Sequence, residues 1–164
     1  MTTRSAADSD FDALVRIWHQ GWHDAHARIV PTEMTRARTP ANFRQRVTEL
    51  FDAIWLLGDV GAPLGFYVLR SDELYQFYVA DRARGRGVAA TLIQDAEQRL
   101  ATNGIGTAWL ACAIGNDRAA RFYEKQGWHR AGSVVIDVEL PAGVWPLEVW
   151  RYEKHLLLAQ GEDA

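Results

Sequence analysis

The six residues Arg84-Gly85-Arg86-Gly87-Val88-Ala89 constrain this chain more than any other stretch. They stand between a strand-like run, Glu73–Val79, and a stretch whose Val88, Leu92, Ile93, Ala96 and Leu100 recur at helical spacing. Glycine turns the backbone tightly and lets a ligand approach with no Cβ in the way. The free N–H groups of the helix's first turn, with its macrodipole, then favour an anion. Arg82, Arg84 and Arg86 add positive charge at the same place. Strand, glycine turn and helix together call for an α/β arrangement, and the ligand they ask for is a phosphate or pyrophosphate.

The flanking sequence supplies the rest of a sheet. Thr2–Ser5 is a short strand, and Asp8 or Ser9 caps a helix carrying Phe11, Leu14, Val15 and Trp18. A second helix starts at Pro40 with Phe43, Val47 and Leu50 on one face. Asp52–Leu57 and Pro63–Arg70 are strands joined around Gly58–Gly61, followed by the strand Glu73–Val79. In that last strand Leu74, Gln76 and Tyr78 are expected on one face, and Tyr75, Phe77 and Val79 on the other. Beyond the helix Val88–Thr102, Thr107–Ile114 is a buried strand. Asn116 caps a helix ending at Gly127, and Arg130–Leu140 and Leu147–Leu158 form a final hairpin. The order β-α-α-β-β-β-α-β-α-β-β implies a mixed sheet with helices on both faces.

With 164 residues, 48% hydrophobic and 24% charged, the chain makes one domain over residues 1–158, and the polar stretch 159–164 is expected to be a disordered tail. A net charge of −3 carries no basic footprint for nucleic acid, and slightly favours a cationic substrate over an acidic one. Cys112 is the only cysteine, which rules out an internal disulfide or a thiolate metal site and fits a reducing compartment. No apolar run reaches the roughly 18–20 residues of a membrane helix, and MTTRSAADSD has no signal-peptide core, so a cytoplasmic location is expected.

Three phosphate-binding patterns compete for the glycine loop. A P-loop requires Lys-Ser/Thr after the last glycine, where this chain has Val88-Ala89. The run Gly85–Ala90 satisfies the dinucleotide fingerprint G-x-G-x-x-A, which would make the chain an oxidoreductase. That fold needs an acidic residue about 20 positions on; residue 105 is Ile105, and too little chain follows for the remaining strands. The third pattern, R/Q-x-x-G-x-G/A, is matched by Arg84–Ala89, which resembles the acetyl-CoA pyrophosphate loop of the GNAT superfamily of N-acetyltransferases.

A second motif strengthens the resemblance. Asn116 to Trp128 is similar to the family's N-x-x-A-x-x-[LF]-Y-x-x-x-G-[FW] segment and lies the expected distance past the loop. Independently of any family, Asn116 and Tyr123 are seven residues apart and share a helix face, with small Ala119 near it. The resemblance implies a mostly antiparallel mixed sheet of six to seven strands, splayed in the middle, and acetyl-CoA as co-substrate without a metal. It implies that Arg84, Gly85, Arg86, Gly87, Val88 and Ala89 hold the pyrophosphate, that Asn116 and Ala119 flank the pantetheine arm, and that Phe77 and Val79 offer it main-chain hydrogen bonds. It makes Tyr123 the general acid and places Glu73 where some relatives carry their base.

The acceptor pocket in such proteins comes from the first helices and the last strands. Trp22–Pro31 resembles the W-x-x-A-[YH]-x-x-[IL]-x-P stretch of one broad subgroup, which singles out Trp22 and His26. Gln76 can orient a substrate but not act as a base, and His26 and His23 are alternatives to Glu73 as the base. Trp145 and Trp150 fit core packing better than a pocket wall. The expected activity is transfer of an acetyl group to a primary amine of a small molecule or peptide. Homodimerisation through the last strands follows by analogy only. A non-catalytic acyl-CoA sensor is the alternative, weakened by the presence of Tyr123, which a pure binder has no need of.

Overall fold

The computed structural model describes residues 2–157. The strands are β1 (Arg4–Ser5), β2 (Ile54–Asp59), β3 (Ala62–Arg70), β4 (Glu73–Val79), β5 (Thr107–Ala113), β6 (His129–Leu140) and β7 (Gly143–His155). The helices are α1 (Phe11–His26), α2 (Thr32–Ala37), α3 (Pro40–Leu50), α4 (Val88–Thr102) and α5 (Asp117–Lys125). The seven strands form one sheet in the order β1-β2-β3-β4-β5-β7-β6. Leu158, the expected end of the last strand, and the stretch 159–164 lie outside the described residues.

Two apolar cores sandwich this sheet. On one face α1, α2 and α3 bury Leu14, Trp18, Met34, Phe43 and Val47 against Leu56, Phe66 and Val68. On the other, α4 and α5 bury Leu92, Ile93, Ala96 and Ala120 against Tyr67, Leu110 and Tyr152. The periodicity that predicts α4 is therefore the stripe it buries, and the spacing of Leu14, Val15, Trp18 and Trp22 does the same for α1.

Local chemistry sets the boundaries. Thr39 Oγ1 accepts from the Asn42 N–H at 3.1 Å to start α3 with Pro40 in its first turn. At α1 the anchoring carboxylate is Asp10 rather than Asp8 or Ser9: fully buried, it accepts from the Ala7 N–H at 2.7 Å and the Gly61 N–H at 2.8 Å. Asp8–Asp10 forms a single 3-10 turn ahead of the helix. The helix α2 has no periodic signal in the sequence, because six residues bury only Met34. The final hairpin is tighter than expected: Leu140 pairs with Gly143, so Pro146 lies inside β7 opposite Asp137. Its missing N–H is tolerated there because β5 pairs with β7 only from Val149 onward.

One irregularity changes a face assignment. On β3, Val68 pairs with Gln76 and Leu69 with Leu74, which leaves Tyr75 as an extra residue in β4. The bulge reverses the alternation. Leu74 joins the α4 core and Tyr75 joins Tyr78 toward the α1 core, against the expected pairing of Leu74 with Tyr78.

The centre of the sheet is where function enters. β5 is paired along all seven residues with β7, and β4 along its length with β3. Between β4 and β5, a parallel pair, only Glu73 stands in register with Trp109. The Trp109 N–H donates to the Asp72 carbonyl at 3.1 Å, and above that point the strands part.

Candidate active site

A cleft of about 760 Å³ fills the gap between β4 and β5. Phe77, Tyr78 and Val79 form one wall and Ala111, Cys112 and Ala113 the other. The glycine loop lies at one end, α5 presents Asn116, Ala119, Phe122 and Tyr123, and the C-terminal turn of α1 closes the opposite end with His26.

Gly85 and Gly87 have φ of 76° and 78°, the left-handed region that side chains rarely adopt. A Cβ at either would meet nothing within 4 Å, so the loop forms an open cradle. No side chain caps α4, whose first internal bond runs from the Thr91 N–H to the Gly87 carbonyl. The N–H groups of its first turn therefore stay available to a ligand. Arg84 stands beside them, tethered to Asp81 at 2.9 Å.

Tyr123 is held by aromatic rings: Phe122 at 5.6 Å, Tyr152 at 6.1 Å, and Phe77 and Trp128 each at 6.4 Å. Burial pushes its phenol pKa well above the ordinary value, and neighbouring Cys112 and Tyr78 add to the shift. Cys112, also in the cleft wall, is buried and its thiol is pushed up to about 12 by that burial. Both groups are protonated at neutral pH. Asn116 Oδ1 caps α5 by accepting from the Ala119 N–H at 3.4 Å.

At the far end, His26 Nδ1 lies 2.9 Å from the Trp22 carbonyl. A carbonyl only accepts, so Nδ1 carries the proton and Nε2 presents a lone pair. Burial lowers the His26 pKa to about 4, opposed by the Trp22 bond and reinforced by the charges of Arg38, His23 and Arg46. The loop after α1 crosses to the loop after β5: a Cβ on Gly115 would lie 3.2 Å from Ile29 Cγ2. Helix α1 also approaches β4 closely, since a Cβ on Gly21 would lie 2.6 Å from Tyr78 Cδ1.

The profile of the acetyltransferase (GNAT) family matches residues 12–128. The chain belongs to this family. No curated protein sequence matches it. Its fold is similar to a GCN5-related N-acetyltransferase from Rhodopseudomonas palustris (21% identity, 94% and 95% of the two chains covered, TM-score 0.71). It is also similar to a ribosomal-protein-alanine N-acetyltransferase from Brucella melitensis (19%, 95% and 100%, 0.70). A third likeness is to the PaiA N-acetyltransferase from Thermoplasma acidophilum, solved with coenzyme A (17%, 94% and 98%, 0.63).

In this GNAT chain the cleft gathers Phe77, Val79, Arg84, Gly85, Gly87, Val88, Ala89, Asn116, Ala119, Tyr123, Gln76 and His26. Four residues singled out by sequence, Arg86, Trp22, Glu73 and His23, stand elsewhere. Arg86 faces a separate depression with Arg82, Thr2 and Asp59. Trp22 is buried among the helices, with its ring 5.0 Å from the His26 ring and its carbonyl bonded to His26 Nδ1. Glu73 is buried at the closed end of β4, 3.6 Å from Arg70, where burial raises its carboxyl pKa and Arg70 opposes the rise. Phe77 stands four positions further on, about 13 Å along a strand. His23 bonds the Arg38 carbonyl instead of lining the cleft. Trp145 packs against the α1 core and Trp150 lies under Arg130.

Sequence reasoning missed Gly21 and the wall position of Tyr78. A glycine inside a helix, costing about 1 kcal/mol relative to alanine, is the signal that something packs close to α1. Among the described residues no cluster of three or more His, Cys, Asp or Glu could hold a metal, and no helix is long and apolar enough to cross a membrane.

Proposed function

We propose that this acetyltransferase moves an acetyl group from acetyl-CoA to a free amine of a small molecule, or of a peptide, by direct attack with both substrates bound. The observation that carries this reading is the parting of β4 and β5 above Glu73 and Trp109, with the open glycine cradle at one end of the gap. Unpaired strand edges bind an extended, amide-bearing chain as a further strand would. The cradle suits a pyrophosphate, with the α4 N–H groups and Arg84 as partners. Acetyl-CoA, when bound, supplies an acetyl group activated as a thioester.

The protein's own groups divide the remaining work. Main-chain groups of Phe77 and Val79 bind and orient the pantetheine arm from one side, and Asn116 and Ala119 from the other. An amine of pKa near 10.4 is uncharged in only about one molecule in 2,500 at pH 7, so the site must take up the neutral form. His26 Nε2 accepts a hydrogen bond from the acceptor N–H, and Gln76 fixes its orientation. As the C–N bond forms the amine gives up a proton to water, and as the C–S bond breaks Tyr123 Oη, which keeps its proton at neutral pH, delivers it to the departing thiolate. Glu73 lies outside the cleft lining and takes no part in this reading.

Calorimetric titration with acetyl-CoA, with NADH as control, tests the reading. Acetyl-CoA is expected to bind and NADH not to. Failure of acetyl-CoA to bind, or preferential binding of NADH, would overturn it.

A further inference from the structure

Tyr123 makes no side-chain hydrogen bond among the described residues. The place of its phenol is therefore set by the four rings around it. Phe77 and Phe122 are apolar and stack on each other at 5.8 Å. The other two rings carry a polar handle. Trp128 Nε1 donates to Glu97 Oε2 at 3.0 Å, and Tyr152 Oη donates to Glu124 Oε2 at 2.6 Å.

The two handles differ in burial. Glu124 and its partner Arg130 are 49% and 41% exposed, where an ion pair adds little. Glu97 and Lys154 are 15% and 25% exposed and meet at 2.8 Å, while Trp128 is 2% exposed. Glu97 thus spends one oxygen on the indole and the other on Lys154. Lys154 Nζ donates a second time, to the Gln126 carbonyl at 2.8 Å, and satisfies an acceptor in the turn that ends α5. A Cβ on Gly127 would stand 3.4 Å from Lys154, so the lysine lies against that turn. The Trp128 N–H completes the clasp by donating to the Tyr123 carbonyl at 3.0 Å. One carboxylate on α4 joins β7 to the end of α5, and the residue it holds meets Tyr123 through both ring and main chain. None of Glu97, Trp128 and Lys154 lines the cleft.

We infer that Trp128, anchored by Glu97 and Lys154, is a positioning residue that fixes where the Tyr123 phenol stands when its proton passes to the departing thiolate. This inference rests on the transferase reading and adds a residue to it. A phenol with no hydrogen bond of its own has only its neighbours to hold it, and a misplacement of about 1 Å at a reacting group costs rate steeply.

The test is a double-mutant cycle on the purified protein with acetyl-CoA. Hydroxylamine serves as a small acceptor uncharged at neutral pH, and CoA release above the enzyme-free rate is the signal. Trp128→Phe keeps an aromatic ring and loses the Nε1 donor. It is expected to lower kcat by about 5- to 50-fold with acetyl-CoA affinity unchanged in calorimetry. In the Tyr123→Phe background the same change should cost less than about twofold, because the proton it serves is already gone. An equal loss in both backgrounds would make Trp128 merely structural, and no loss in either would leave the clasp without a role; each result overturns the inference. A second measurement needs no turnover. With fluorotyrosine incorporated, the fluorine NMR signal of Tyr123 is assigned by its absence from Tyr123→Phe. It should broaden or split in Glu97→Ala, which leaves the indole in place and removes its anchor. A signal unchanged from wild type would overturn the inference. Failure of acetyl-CoA to bind, with the Tyr123 signal responding as expected, would instead remove the transferase reading itself.

Discussion

At the α4–α5 end the cleft is made of backbone and small side chains. Gly85 and Gly87 leave a space with no atom within 4 Å of where a Cβ would be, and the Asn116 side chain is already engaged with the Ala119 N–H. At the α1–α3 end it is lined by His26 and Tyr78, with Trp18 and Trp22 packed behind them. Backbone recognition is insensitive to side-chain identity and depends on φ and on bare space, so it leaves a short, legible motif. Side-chain recognition depends on which residues three helices bring together. The first end suits a ligand common to a whole family, the second a ligand particular to one member.

Substitutions at each end should separate cleanly. The largest effect is expected for Gly87→Glu, which puts a side chain at φ 78° and a carboxylate into the anion cradle; acetyl-CoA binding should vanish in calorimetry. Retained affinity would break the division between the ends. Tyr123→Phe should lower kcat by about 10- to 1,000-fold with acetyl-CoA affinity nearly unchanged, the range of lost acid catalysis. An unchanged rate would refute the proton-donor role.

His26 gives a pH test. Its folded pKa of about 4 lies below the ordinary 6.5, so between those values the unfolded chain binds more protons than the folded one. Stability should be full above pH 6.5 and fall by about 3 kcal/mol as the pH drops toward 4. Denaturant titrations of wild type and His26→Asn should show this acid-side loss reduced in the variant. Gly21→Ala is expected to have the smallest effect. The gain in helix propensity and the crowding of Tyr78 should nearly offset in stability, within about 1 kcal/mol, while the acceptor KM rises. A change in acetyl-CoA affinity instead would show that the two ends are coupled.

The sequence made the α4–α5 end readable and the other end only in outline. Gly85, Gly87, Asn116 and Tyr123 sit in contiguous motifs whose spacing is fixed by one turn and one helix. Helix α4 was visible because its buried stripe is long. The bulge at Tyr75 was not, because it comes from the register with β3, and no run of alternating residues reports its partner's register. The same blindness hid the burial of Arg38: it is an ordinary polar residue after a short helix, and only tertiary packing leaves it 3% exposed. Glu73 shows the converse, a residue of suitable chemistry held at the closed end of its strand by the one rung that joins β4 to β5.

That rung also divides the hydrogen bonding of the sheet. Four strands on one side and three on the other share a single register pair, Glu73 with Trp109, while the core under α4 and α5 spans both. A ligand that lies along the open edge would supply the missing rungs. The protein's resistance to unfolding would then rise by mass action as that ligand accumulates.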